Sequence, residues 1–208
     1  ISNEDELISF ANSCRNDSYS FGRKVKLTSD ISITKDGFEG IAYFNGTFDG
    51  GNHTIRNLNK EYIGSDYGFF RYLGEDAYVY NLSVSGTITA SGSQKNIGGI
   101  AGVNKAGARL INCNSDADIS ATNQTGGIAG NNQGIISGCI SRSKVNTNEL
   151  NSSFDIGGVD VGTLNITQHV VDRNDMGGIA GYSTGVISDS TNYGAVGYSH
   201  MGYNAGGI

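Results

Sequence analysis

The chain has 208 residues, with 14 lysine and arginine residues against 20 aspartate and glutamate residues, and its formal net charge is −6. This acidic balance offers no basic surface for phosphates, which argues against nucleic acid as a partner. The sequence also has no run of about 18 apolar residues, which argues against insertion into a membrane. Glycine occurs 32 times and proline is absent, without the triplet period of collagen.

The first predicted element is a helix over residues 3–14. Capping-type and acidic residues open this segment, and Leu7, Phe10, Ala11 and Cys14 then recur at helical spacing. Because the repeats that follow would leave an apolar end open, we expect this helix to cap it.

Short strands are predicted next, at residues 25–27 and 31–33, and residues 46–55 are typical of a strand, a glycine turn and a second strand. Asp49 and His53 lie four residues apart beside this turn and have the residue types of an acid–base pair. We interpret them as turn residues, with Asp49 capping the turn and His53 packing at the corner.

Four cassettes of the form Gly-Gly-Ile-Ala-Gly dominate the rest of the chain, the last of them ending after Gly-Gly-Ile. The second glycines, Gly99, Gly127, Gly178 and Gly207, are separated by 28, 51 and 29 residues, so one unit has about 28 residues. Residues 67–70 are interpreted as a degenerate earlier copy, with Gly68 aligned on Gly99. The cassettes are expected at corners that need a positive φ or a close backbone approach, and their glycines are Gly98, Gly99, Gly102, Gly126, Gly127, Gly130, Gly177, Gly178, Gly181, Gly206 and Gly207.

A second shared element follows each cassette: a short aliphatic segment, a polar turn, and a small residue two positions before another aliphatic. Its first aliphatic positions are Val79, Leu110, Ile136 and Ile187. The apolar alternation has period two, which indicates strands. Short strands that repeat every 20 to 30 residues with glycine corners predict an all-β parallel β-helix, in which equivalent aliphatic residues stack in inward ladders.

We expect one domain over residues 1–208, with a cap at 1–20, the first turns at 21–66 and the repeats at 67–208. The sequence stops inside its fourth cassette, so we expect it to be a piece of a longer protein. The 51-residue spacing exceeds one unit by 51 − 28 = 23 residues, and we expect this excess as a protruding loop or hairpin at about 146–175. An extra irregular turn of the coil is the alternative.

Candidate binding residues fall in two groups. The acidic residues of the predicted loop, Asp155, Asp160, Asp172 and Asp175, could supply oxygen ligands to calcium, but no Asp-x-Asp-x-Asp-Gly spacing supports this and a solvated loop is favoured. Exposed tyrosines near the end of the chain could stack on sugars or anchor a protein partner, or equally pack within the last turns. These tyrosines are Tyr182, Tyr193, Tyr198 and Tyr203.

Two further sets of residues are interpreted as structural. Asp116 and Asp118 point the same way from one strand, but the equivalent positions in other units mix both charges, which is typical of a solvated face. Cys113 and Cys139 occupy equivalent places in successive units and would lie within disulfide range. Parallel stacking points both side chains the same way, so buried thiols are favoured. No cofactor, metal site or catalytic residue is predicted.

The residues just described carry a family resemblance. The segment Phe-Asp-Gly-Gly-Asn-His-Thr-Ile at 48–55, followed by the Gly-Gly-Ile-Ala-Gly copies and their Asn-Cys-like followers, resembles the GLUG-motif repeat region of large bacterial cell-surface proteins. Similar repeats occur in the non-catalytic parts of IgA-specific metalloendopeptidases and in adhesin-like proteins. The resemblance covers residues 3–208 and implies a right-handed parallel β-helix in an extracellular protein, on the bacterial surface or secreted.

A peptidase domain would need His-Glu-x-x-His, and none of His53, His169 and His200 lies in that pattern. We therefore expect a non-catalytic monomeric segment that acts as an adhesive or scaffolding module, with a host glycan or glycoprotein and the rest of its parent chain as partners. The alternative is an accessory β-helix of a surface protease or a carbohydrate-active β-helix enzyme. Three or more carboxylates on adjacent turns would favour the enzyme.

Overall fold

The computed structural model describes residues 1–62, 64–90, 95–147, 174–197 and 203–208. Within these ranges the chain forms one helix, α1 (Glu4–Ser13), followed by short strands. The strands are β1 (Lys24–Lys26), β2 (Ile31–Ser32), β3 (Ile41–Phe44), β4 (Thr47–Asp49), β5 (Thr54–Arg56), β6 (Lys60–Tyr62), β7 (Phe70–Leu73), β8 (Tyr78–Tyr80), β9 (Ser83–Ala90), β10 (Lys95–Gly98), β11 (Ala101–Asn104), β12 (Arg109–Ile111), β13 (Asn114–Ser120), β14 (Asn123–Gly126), β15 (Ala129–Asn132), β16 (Ile135–Ser137), β17 (Ile140–Ser141), β18 (Lys144–Val145), β19 (Asn174–Gly177), β20 (Ala180–Ser183), β21 (Val186–Ser188), β22 (Thr191–Asn192) and β23 (Tyr203–Gly206).

These strands form four parallel sheets that the chain visits in the same order in each turn. The first sheet has the order β1-β4-β8-β12-β16-β21, and the second has β2-β5-β9-β13-β17-β22, with β6 beside β9 and β18 beside β13. The third sheet has β10-β14-β19-β23, and the fourth has β3-β7-β11-β15-β20. This stacking of parallel strands from successive turns confirms the predicted parallel β-helix.

The core is built from inward ladders of equivalent residues. Val79, Leu110, Ile136 and Ile187 are register partners on adjacent strands of the first sheet, as the repeat alignment predicted. The first three of these side chains are fully buried. Since each turn leaves its apolar edge for the next turn to cover, stacking provides the burial that a single turn cannot achieve.

Helix α1 covers the first turn of the coil, which confirms the predicted cap. The Asn3 side chain accepts a hydrogen bond from the Glu6 amide at 3.0 Å and so caps the helix N-terminus. On the inner face of the helix Leu7 is buried, and the Phe10 ring lies 6.1 Å from the Phe44 ring of β3. No helix in the described ranges is long and apolar enough to cross a membrane.

The cassette glycines are required by close packing between backbones and not by a left-handed conformation. None of them has a positive φ. A Cβ atom on Gly98 would come within 2.7 Å of the Ala129 Cα, one on Gly102 within 2.7 Å of the Tyr67 amide nitrogen, and one on Gly127 within 2.2 Å of the Gly178 carbonyl oxygen. Gly99, Gly126, Gly130, Gly177, Gly178 and Gly181 meet similar close contacts, whereas Gly206 and Gly207 have room for a Cβ.

Positive φ angles occur instead at the corner between the first and second sheets. Asn81, Asn112 and Asp189 have φ angles of 54°, 51° and 50°, and Gly138 occupies the same corner with a φ of 65°. Asn and Asp tolerate this left-handed region better than other non-glycine residues, which explains why the polar turn of each repeat contains them.

The degenerate copy at residues 67–70 keeps the predicted offset of 31 residues where it enters β7, since Phe70 pairs with Ala101 and Leu73 with Asn104. Just before it, Tyr67 bridges to Ile97 at an offset of 30 residues. The copy is therefore one residue shorter than a full cassette between these two pairs.

The 51-residue spacing is spanned without an additional turn of the coil. Strand β14 pairs directly with β19, with Thr125 opposite Met176. Before the gap, the Asn146 amide still donates to the Ile119 carbonyl at 2.7 Å, as a residue of the coil. The predicted excess therefore falls at residues 148–173, which lie outside the described residues.

Candidate binding face on the second sheet

The outer side of the second sheet presents a continuous row of polar side chains. On β13 the Ala117 side chain points inward and is buried, while Asp116 on its flank is exposed. Asp116 pairs with Ser85, and Asp118 pairs with both Thr87 and Lys144, as the repeat alignment predicted. We call this surface the polar face, and it consists of Thr54, Arg56, Ser83, Ser85, Asn114, Asp116, Asp118, Arg142, Lys144 and Tyr193.

A shallow groove of about 250 Å³ crosses the polar face. Its centre is occupied by the short Ser83 and Ser85 side chains of β9, with Arg56 on one side and Asp116 and Arg142 on the other. The groove forms because two small residues stand between longer ones in adjacent strands of one sheet, where side chains on the same face are neighbours.

At one end of the polar face, Asp30 holds Arg56 in place. The Asp30 carboxylate accepts hydrogen bonds from the Thr54 amide at 3.1 Å and from the Arg56 guanidinium at 2.7 Å, and its Oδ1 lies 3.2 Å from His53 Nδ1. The Thr54 amide, then Arg56 and His53, hold the pKa of Asp30 below its ordinary value. His53 is thus paired with Asp30, while Asp49 accepts from the Gly51 amide at 2.8 Å and caps the turn.

At the other end, an arginine and a tyrosine are exposed side by side. The Arg142 guanidinium lies 5.5 Å from the centroid of the Tyr193 ring, and Tyr193 is 69% exposed. Neither Arg142 nor Asp116 forms an ion pair within the described part of the chain. Their charges are therefore available to a ligand that settles on this surface.

The tyrosines singled out from the sequence do not form one row. Tyr182 lies on β20 of the fourth sheet and is 44% exposed, Tyr193 follows β22 of the second sheet, and Tyr203 begins β23 of the third. Tyr198 lies outside the described residues. The structure thus separates these tyrosines onto three sides of the coil and leaves Tyr193 alone on the polar face.

Asp175, predicted to belong to an acidic loop, is instead a residue of the coil. It lies in β19 with a φ of 55°, at the place that Gln124 occupies one turn away and Asn96 two turns away, with φ angles of 50° and 60°. The other acidic residues of that prediction, Asp155, Asp160 and Asp172, lie outside the described residues. Among the residues that are described, no three His, Cys, Asp or Glu side chains are grouped so as to hold a metal ion.

The three cysteines are free, buried thiols. The Cys113 amide donates to Cys139 Sγ at 3.4 Å, so the two residues stack in one ladder without a disulfide bond. Burial raises the pKa of the Cys113 thiol, and it raises the pKa of Cys14 to about 12.

Two features were not anticipated from the sequence. Asn104 and Asn132 form a buried ladder, in which Asn104 Nδ2 donates to Asn132 Oδ1 at 2.7 Å. Tyr43 and Tyr72 are register partners on the fourth sheet. Both tyrosines precede the first full cassette, so an alignment anchored on the cassettes gave no signal for their pairing.

Comparisons of the chain with models of known protein families, with characterised proteins and with solved structures give no match. The resemblance to GLUG-motif repeats therefore stays a prediction, and what the chain does has to be argued from its own surfaces.

Proposed function

We propose that this chain is a non-catalytic, adhesive segment of a bacterial surface or secreted protein, and that the polar face is its contact surface for a host glycoprotein. The proposal combines the sequence resemblance with a rigid coil that holds a row of polar side chains at the strand spacing of about 4.8 Å. A parallel stack of strands fixes the positions of such side chains before any partner arrives, which lowers the entropy cost of binding.

One observation carries the proposal: the exposed pair of Arg142 and Tyr193 lies beside Asp116. Arginine and tyrosine are enriched among the residues that dominate the energy of protein interfaces, because each combines a large contact area with directed hydrogen bonds. Asp116 and Arg142 also have no competing ion pair among the described residues. The polar face therefore offers both signs of charge and an aromatic ring within one patch.

The pattern that would favour a carbohydrate-active enzyme is three or more carboxylates on adjacent turns. On the described polar face, Asp116 and Asp118 share one strand, while the next strand brings Arg142 and Lys144 to the equivalent places. Basic residues stand where further carboxylates would be needed, and this alternation supports a binding role.

The test is surface plasmon resonance of the chain over immobilised mucin and fibronectin. We expect the double variant Arg142→Ala/Tyr193→Ala to bind at least about tenfold more weakly than the unaltered chain. The matched control is Arg109→Ala/Tyr78→Ala, which removes the same residue types from register partners on the first sheet. Equal losses in both variants would contradict the role of the polar face. No binding by the unaltered chain would overturn adhesion and leave the segment as a spacer.

A further inference from the structure

The fourth sheet carries an aromatic surface that is separate from the polar face of the second sheet. Phe21 is 56% exposed, and its ring lies 6.3 Å from that of Tyr43, which is in turn the register partner of Tyr72 on β7. We call Phe21, Tyr43 and Tyr72 the aromatic shelf. We propose that this shelf binds a neutral glycan, with pyranose rings stacked on its aromatic side chains, and this inference rests on the proposed adhesive function.

The shelf borders a groove with the size of a ligand site. The groove has a volume of about 340 Å³ and is lined by Asp17, Ala42, Tyr43, Arg71, Tyr72 and Lys105. Sites for small molecules begin at roughly 300 Å³ and combine apolar walls with a few placed polar groups. Two tyrosine rings and one alanine provide the apolar walls here, and Asp17 and Lys105 provide polar groups.

Contacts restrict the two tyrosine rings of the shelf. The Tyr72 hydroxyl donates a hydrogen bond to the Asp66 carboxylate, which also accepts from the Asn96 side-chain amide at 2.5 Å. Tyr43 is half-buried, and its ring lies 6.3 Å from that of Phe21. A tyrosine ring has few rotatable bonds, so a site built from restricted rings loses little conformational entropy when a ligand binds.

The Lys105 ammonium lies over both tyrosine rings, 5.8 Å from the centroid of Tyr43 and 5.8 Å from that of Tyr72. These distances are close to the outer limit of about 6 Å for a cation–π contact, so the contacts are weak and a stacked sugar ring can replace them. From there its three N–H groups can donate to the hydroxyls at the rim of a sugar stacked on the rings.

The charges around the shelf favour a neutral ligand over a charged one. Arg71 is already engaged, because its Nε donates to the Asp66 carbonyl at 3.2 Å and its guanidinium lies over the Tyr62 ring. Its guanidinium keeps its charge, so the groove is lined by two cations, Arg71 and Lys105, and by the Asp17 carboxylate. Burial, together with the nearby charges of Glu75, Asp17 and Asp76, raises the pKa of Tyr43. These three carboxylates offset the two cations, so the surroundings of the groove give no net attraction for an anionic sugar.

A neutral pyranose matches this combination of groups. One face of the sugar ring consists of C–H groups that pack against an aromatic ring, and its rim consists of hydroxyls that pair with an ammonium and a carboxylate. Phe21, Tyr43 and Tyr72 lie in succession, so the shelf is long enough for more than one sugar residue.

The experiment is calorimetric titration of the chain with neutral N-acetyllactosamine oligomers, mannan and β-glucan, each run beside sialylated N-acetyllactosamine. We expect one of the neutral glycans to bind and the sialylated one to bind more weakly. The variant Tyr43→Ala/Lys105→Ala should lose at least about tenfold in affinity. Phe21→Ala, at an exposed site that the fold does not need, should lose affinity too, and circular dichroism checks that each variant is folded.

Two variants serve as controls: Arg142→Ala/Tyr193→Ala on the polar face and Arg109→Ala/Tyr78→Ala on the first sheet. Both should bind the neutral glycan like the unaltered chain. Loss of glycan binding in the polar-face variant alone would overturn the shelf and leave the adhesive function in place. Binding of only the sialylated sugar, or of glycoproteins but of no free neutral glycan, would also overturn the shelf alone. No binding to either glycans or glycoproteins would overturn both proposals.

Discussion

Gly99 and Ser115 lie so close together that a Cβ atom on Gly99 would come within 2.1 Å of the Ser115 Oγ. Ser115 belongs to β13 of the second sheet and is buried. Because Gly99 has no side chain, the Ser115 side chain from another sheet fits against its backbone. The equivalent glycine of each full Gly-Gly-Ile-Ala-Gly copy makes the same kind of contact across the coil.

This contact predicts that Gly99→Ala is strongly destabilising. The added methyl group would overlap the Ser115 side chain and lie 2.7 Å from the Gly127 carbonyl oxygen, and overpacking of this kind costs about 1–3 kcal/mol. Gly207→Ala is the matched control, since it is the same cassette position with nothing within 4 Å. Its free energy of unfolding should change by less than about 0.5 kcal/mol. Urea unfolding followed by circular dichroism measures both, and equal changes would contradict the packing argument.

The asparagine ladder predicts a non-additive pair of substitutions. Asn104 Nδ2 donates both to Asn132 Oδ1 and, at 3.4 Å, to the Ile135 carbonyl. Asn132→Leu removes the nearer acceptor and leaves one of the two buried N–H groups unpaired, which costs about 1–3 kcal/mol. In Asn104→Leu/Asn132→Leu both partners become apolar, and Leu73 already occupies the same row one turn earlier. The double variant should therefore unfold at a higher urea concentration than the sum of the single effects predicts. Strict additivity would show that the ladder is not an energetic unit.

The hydrogen bonds of Glu4 predict that the attachment of the capping helix weakens in acid. Its carboxylate accepts from the Lys35 amide at 2.7 Å, the Thr34 amide at 2.5 Å and the Thr34 hydroxyl at 2.8 Å. These bonds, chiefly that from Lys35, hold the pKa of Glu4 below its ordinary value of 4.5. A lowered folded-state pKa means that the stabilisation is present above the ordinary pKa and is lost as the pH falls through the folded one.

Accordingly, the difference in unfolding midpoint between the unaltered chain and Glu4→Gln should be constant near neutral pH and should shrink below about pH 4.5. Glu61→Gln, at an exposed carboxylate on β6, is the control and should show a smaller difference at neutral pH. A Glu4→Gln difference that persists unchanged in acid would contradict the assigned role of the carboxylate.

Burial of the cysteines predicts slow reaction with thiol reagents. Only the thiolate reacts, and burial raises the pKa of Cys14 to about 12 and that of Cys113 above its ordinary value. The hydrogen bond with Cys113 lowers the pKa of Cys139, so the protection of this thiol comes from its complete burial. The folded chain should therefore leave its thiols unmodified by an aromatic disulfide reagent at pH 8, whereas the urea-unfolded chain should react at all three. Rapid modification of a thiol in the folded chain would show that its ladder opens locally.

The regular part of the fold was predictable because the repeats encode it directly. Val79, Leu110, Ile136 and Ile187 could be aligned by eye, and the register follows from that alignment since equivalent residues stack. The sequence predicts that the cassette glycines are needed either for a positive φ or for a close backbone approach, but it does not distinguish the two. The position of Ser115 in the structure shows that close approach is the reason at Gly99.

The candidate surfaces were less predictable. The mixed row of Asp116, Arg142 and Tyr193 followed from the repeat alignment, but the Asp30 contact that holds Arg56 depends on residues 26 positions apart in a part without cassettes. The aromatic shelf joins a turn residue, Phe21, to strands β3 and β7. The prediction for Asp175 was wrong because it was grouped with the acidic residues of the predicted loop. In the coil, this position needs a residue that tolerates a positive φ, as Asn96 and Gln124 do in the other turns.

The direct pairing of β14 with β19 has a consequence for how such a coil can change. The described coil reaches Thr147 and continues at Asn174, which pairs with Asn123 in the register that β10 and β14 already have. The turns before and after residues 148–173 pair with each other directly, so their register does not depend on the length of the sequence between them. We expect a segment of another length or composition at 148–173 to leave the stacked turns unchanged.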